Sequence, residues 1–126
     1  MITTAELISA HGERRIREWS DDNGVGSIDE TVVNNAINYA YGEYKSYLPL
    51  PDPETDFVRA QLVILAGWRL ACRRSAEGIE LLRMQYEDVL TALKMARKNQ
   101  IDAKPETEGA ALEAAAESDE ATVWPM

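Results

Sequence analysis

Residues 54–75 read ETDFVRAQLVILAGWRLACRRS, the most apolar stretch of the chain. Phe57, Val58, Gln61, Leu62, Leu65, Ala66, Trp68 and Leu70 recur at helical spacing, and they cover much of the circumference rather than one stripe. A helix that is apolar on most sides has to be surrounded by other elements. This one is therefore expected at the centre of the fold. Its apolar run, around Val63 to Ala71, is interrupted by Arg69 and is far shorter than the roughly 20 residues a membrane-crossing helix needs.

The preceding Leu48-Pro49-Leu50-Pro51-Asp52-Pro53 cannot continue a helix. Proline lacks the amide donor and drives the residue before it out of the helical region. Upstream, Ser27-Ile28-Asp29-Glu30 reads as a capping box opening a helix to about Leu48, with Val33, Ala36, Ile37, Ala40, Tyr44 and Tyr47 on one face. At the standard rise such a helix is about 30 Å long. Thr3-Thr4-Ala5-Glu6 is a second capping box, and its short helix stops at His11-Gly12. Glu13 to Ser20 forms another short helix with Ile16 and Trp19 on one face, followed by the turn Asp21-Asp22-Asn23-Gly24-Val25-Gly26.

Beyond the central stretch, Gly78 marks a break, and a last helix carries Ile79, Leu82, Tyr86, Val89, Leu90, Leu93 and Ala96. No segment shows the alternation of a strand. The expected fold is all-α: a small bundle of four to five helices over residues 1–101, with an extended acidic, low-complexity tail over 102–126.

The 126 residues suffice for one small domain, and the formal net charge is −9. Residues 1–103 hold 16 acids and 12 Lys/Arg, a net of −4, while residues 104–126 hold six acids against Lys104, a net of −5. Such a balance argues against non-specific attachment to nucleic acid or to anionic membranes. Cys72 is the only cysteine, so no intrachain disulfide is available, and no secretory signal opens the sequence. A cytosol-like environment is expected.

Catalysis needs a nucleophile, base or metal poised by its neighbours, and no such set is apparent, so no enzyme activity and no cofactor are expected. The lone His11 stands where a helix ends, which suits capping or a dipole contact. Cys72, on the apolar helix, reads as a small buried hydrophobe. Against a calcium loop, Asp21, Asn23, Gly26 and Ile28 match two ligand positions, the turn glycine and the following apolar residue. Val25 and Val32 stand where further oxygen ligands belong, so a plain turn before a capped helix is the favoured reading. A calcium-binding helical interaction module built on the Asp21 loop is the alternative. Arg14, Arg15 and Arg17 form one basic cluster and Arg69, Arg73 and Arg74 another. Solvated faces with local ion pairs are the commoner role of such clusters, and phosphate or an acidic partner is the other. A DNA-packaging factor using the Arg14–Arg17 helix is disfavoured by the net charge. The tail ends Val123-Trp124-Pro125-Met126, which has the character of an anchor for a partner's pocket.

Several segments in order resemble a known family: Thr4-Ala5-Glu6-Leu7-Ile8, the loop Asp21 to Asp29, the run AYGEYKSYLPL over residues 40–50, RAQLVILAGWRLACRR over 59–74 and RMQYEDVL over 83–90. Over about residues 2–98 the chain resembles the small Mu-like prophage neck proteins, relatives of the head–tail connector, or adaptor, family of tailed phages. The resemblance implies a virion protein assembled in the host cytoplasm as a homo-oligomeric ring, commonly twelvefold, beneath the portal protein. It implies a ring that extends the DNA channel without reading sequence and receives a head-closure or tail-terminator protein below. On this reading Arg14, Arg17, Arg69 and Arg73 flank the subunit interface, and Val123, Trp124, Pro125 and Met126 bind the portal. The acidic Ala/Glu tail is longer than the resemblance leads one to expect.

Overall fold

The structure is a computed structural model that describes residues 1–74 and 78–103. Five helices make up the fold: α1 (Thr4–His11), α2 (Glu13–Ser20), α3 (Glu30–Lys45), α4 (Asp56–Cys72) and α5 (Glu80–Ala103). The described residues contain no strand, so the architecture is an all-α bundle. Residues 1–94 form one compact unit. Of the second unit, 95–126, the described part is the last stretch of α5.

α4 is central, as its composition requires. Val58, Leu62, Val63, Leu65, Ala66, Leu70 and Ala71 are buried on it, and it packs against α1, α2 and α3. α3 contributes Val33, Ala36, Ile37, Ala40, Tyr41 and Tyr44, and the short helices contribute Leu7, Ile16 and Trp19. α5 adds Leu82, Val89 and Leu93, and its Tyr86 stacks on Trp68 with ring centroids 5.2 Å apart. The Tyr86 hydroxyl donates to Glu43 at 2.7 Å, joining α5 to α3. Burial, then this carboxylate, hold the phenol's pKa far above its ordinary value.

The expected capping box at Thr3 is present, with Glu6 answering it. The one at Ser27 is not. Asp29 caps α3 instead, accepting from the Thr31 and Val32 amides at 3.0 and 3.3 Å, because a carboxylate at that position satisfies two first-turn donors at once. The buried Ser20 hydroxyl accepts from the Asp29 amide at 3.2 Å and so ties the end of α2 to the start of α3. α3 ends at Lys45 rather than near Leu48, which makes it about 24 Å long. Pro49 accounts for the loss, since it disfavours helical geometry at Leu48. α4 starts at Asp56 behind Thr55, whose hydroxyl accepts from the Val58 amide at 3.2 Å.

Glu54 thereby stands outside the helix and joins a polar cluster. The Tyr41 hydroxyl donates to it at 2.8 Å and accepts from the Ile2 amide at 2.8 Å. Arg59 reaches Glu54 at 3.0 Å and Glu6 through two nitrogens at 3.1 and 2.5 Å. The Arg59 guanidinium holds the Glu6 carboxyl below its ordinary pKa, and burial with the Glu54 contact pushes the Tyr41 phenol up to about 12.

Two single-residue expectations are revised. Cys72 is exposed rather than buried, because it is the last residue of α4, where the helix leaves the core. His11 does more than end a helix. Its Nε2 lies 3.0 Å from the Val63 carbonyl, so that nitrogen carries the hydrogen, and the ring fills the space opposite Gly67. Any Cβ on residue 67 would overlap the imidazole. Gly12, at φ 94°, links α1 to α2 in a backbone conformation that side chains disfavour.

Gly67→Ala is expected to destabilise the fold by about 1–2 kcal/mol net in chemical denaturation. The overpacking cost exceeds the ~1 kcal/mol that alanine otherwise brings to a helix interior. Burial also lowers the His11 pKa from its ordinary 6.5. The unfolded chain then takes up that proton first, so stability is full above pH 6.5 and declines as pH falls toward the folded value. The depressed Glu6 carboxyl adds a second decline below its ordinary 4.5. Thermal melts across pH should show both steps, and His11→Gln, which retains a donor for Val63, should remove only the first.

Candidate interaction surface

The basic clusters of the sequence separate in space and in state. On α2, Arg17 pairs with Glu13 one turn away at 3.6 Å, Arg15 lies 5.8 Å from the Trp19 ring centroid, and Arg14 is exposed. At the end of α4, Arg73 donates to the Trp19 carbonyl at 3.0 Å and pairs with Asp22 at 2.5 Å, and Arg74 pairs with the same carboxylate at 3.0 Å. Arg69 lies 4.0 Å over the ring of Tyr39. Arg69 and Arg73 thus share one cleft of about 360 Å³ between α3 and α4, completed by Val32, Asn35, Ala36 and Tyr39. Arg14 and Arg17 take no part in lining it.

The Asp21 loop has its own occupation. The two Asp21 carboxylate oxygens accept from the Val25 and Gly26 amides at 2.9 and 2.7 Å, and these bonds hold its pKa below the ordinary value. With Asp22 held by Arg73 and Arg74, the loop closes on its own donors. Sequence spacing aligned the acids with a calcium template, but it carried no information about where their oxygens point. Among the described residues, no group of three or more His, Cys, Asp or Glu is arranged to hold a metal ion.

A second, apolar surface was not legible in the sequence. Phe57 is 70% exposed at the start of α4, beside a groove of about 320 Å³ lined by Ala60, Gln61, Ile64, Gln85, Asp88, Val89 and Ala92. On α5, Leu81 and Met84 are 68% and 58% exposed on the side turned away from Leu82 and Val89. The sequence had counted Phe57 toward the core, because a nearly all-apolar helix does not reveal which flank is left open. A wider depression of about 460 Å³ runs past Glu6, His11, Asp56 and Arg59. Its His11 and Glu6 are already engaged by Val63 and Arg59. Val123, Trp124, Pro125 and Met126 lie outside the described residues. No helix among the described residues is long and apolar enough to cross a membrane.

Fold and surface together define a small all-α protein whose open faces carry arginine, aromatic and aliphatic side chains. The chain belongs to the bacteriophage Mu Gp36 family, whose family model matches residues 2–122. It is accordingly a Mu-like phage protein of the structural and morphogenetic class. The match runs beyond the expected 2–98 and takes in most of the acidic tail, so that tail falls within the family's span. No curated protein and no solved structure matches the chain.

Calorimetric titration of calcium into the full chain is expected to give no binding heat at micromolar metal. A saturable heat lost in Asp21→Asn would establish the loop as a cation site.

Proposed function

We propose that the protein is a head–tail adaptor: a ring-forming subunit of the phage neck that sits beneath the portal, extends the DNA channel, and receives a head-closure or tail-terminator protein below. The observation that carries this reading is the family match over residues 2–122, joined to the likeness of residues 2–98 to Mu-like neck proteins. The body supports it in three ways. A net charge of −4 over residues 1–103 lets DNA slide past without adhering, since phosphate binding is driven by cationic side chains and counterion release. The exposed Phe57, Leu81 and Met84 give the bundle apolar area outside its own core, as subunits of a closed ring require. Arg69, seated over the Tyr39 ring with no carboxylate of the described residues within 4.0 Å, gives it a cationic group for a partner's acidic side chains.

In this reading the helical body meets neighbouring copies, head to tail, and the tail reaches the portal with Trp124 as its apolar anchor. Removal of residues 104–126 is expected to leave a soluble helical protein, by circular dichroism, that no longer co-purifies with portal particles. Undiminished capture in that pull-down would remove the tail from the mechanism. Electron micrographs of portal mixed with full chain, showing no added density beneath it, would remove the adaptor reading itself.

A further inference from the structure

Arg69 of α4 and Arg73, which caps that helix, stand four residues apart and share a cleft of about 360 Å³ with Asn35 and Tyr39 of α3. The two guanidinium groups differ in what holds them. Arg73 is fixed by the Trp19 carbonyl and Asp22, whereas Arg69 rests on the Tyr39 ring, with no carboxylate of the described residues within 4.0 Å of it. A guanidinium held by its face on a ring is fixed in orientation and keeps its in-plane N–H donors for a carboxylate fork. Tyr39 is itself 51% exposed, and Val32 and Ala36 supply the cleft's apolar side.

We propose that this cleft receives the acidic segment 106–120 of a neighbouring copy of the chain. The inference rests on the ring reading above, because it needs a second copy alongside. Segment 106–120 carries six carboxylates and no lysine or arginine, interleaved with alanine and Leu112, a composition that matches both the charge and the apolar side of the cleft. Residues 104–120 follow the end of α5 and extend up to about 55 Å when stretched. Docking there leaves residues 123–126 available to the portal, so one tail links copy to copy and ring to portal. DNA is the poorer occupant, since its sugar–phosphate backbone offers no aliphatic side chain to the Val32 and Ala36 side of the cleft.

The test uses full-length chains with Asn35 replaced by photoreactive benzoylphenylalanine, mixed with heavy-isotope full-length chains that lack the probe. Irradiation and digestion are expected to yield light–heavy peptides joining position 35 to residues 106–120. Arg69→Glu on the probe-bearing chain should lower that yield at least about tenfold, the loss of a charge-assisted contact. Arg83→Glu, the same change of charge on α5, should leave it unchanged. Arg69→Gln reads the same contact if the charge reversal disturbs the helical signal. Raising salt should weaken the crosslink, as for any exposed charge pairing. Crosslinks confined to light chains, crosslinks only to the helical body, or a yield indifferent to Arg69→Glu would each overturn the proposal. So would protection of the probe by duplex DNA in preference to a synthetic 104–120 peptide. A chain that binds portal without this crosslink defeats only the cleft assignment, and one that crosslinks but ignores portal defeats only the adaptor reading.

Discussion

Everything in this fold follows from the need to cover α4. A 17-residue helix with Val58, Leu62, Leu65, Ala66, Leu70 and Ala71 buried on it cannot rest against a single neighbour. Burying one such side chain is worth about 1.5–3 kcal/mol, so exposure of even a few would offset the stability of a domain this size. The chain meets the demand by packing α1, α2 and α3 against α4, while α5 adds Leu82, Val89 and Leu93 to the same core and stacks Tyr86 on Trp68. The short helices have little stability alone, and their order derives from this contact. His11 set against Gly67 shows how closely they approach.

Polar contacts then fix the ends that burial leaves undetermined. Arg59 binds Glu6 and Glu54 together and brings the first residues against α4, and Tyr41 completes that cluster from α3. At the other end of α4, Arg73 and Arg74 capture Asp22 and the Trp19 carbonyl, which holds the loop between α2 and α3 in place. Exposed pairs of this kind contribute little each to stability. Their value is in orientation: they decide which way each connector runs.

What stays open once these demands are met is a set of exposed aromatic, aliphatic and arginine side chains. Arg69 over Tyr39, the groove beside Phe57, and the outward pair Leu81 and Met84 lie on different faces of unit 1 or its helices, and none is needed for the core. A short chain buries a lower fraction of its surface than a long one, so a small core leaves such faces uncovered.

The sequence by itself determined the helical class, the centrality of the 54–75 stretch, the Thr3 cap, the break at Gly78 and the membership of Leu82, Val89 and Leu93 in the core. These are consequences of spacing, composition and local capping, which act over one or two turns. Only the tertiary structure decided that Asp29 rather than Ser27 caps α3, that Cys72 and Phe57 face solvent, and that Glu54 leaves α4 to meet Tyr41 and Arg59. It also divided the arginines, joining Arg73 to Asp22 and setting Arg69 on Tyr39, and it turned the Asp21 oxygens onto their own loop. Each of these depends on partners far apart in the chain, or on which flank of an apolar helix its neighbours fail to reach. Periodicity carries no information about either, because it records which residues share a face and not what that face meets.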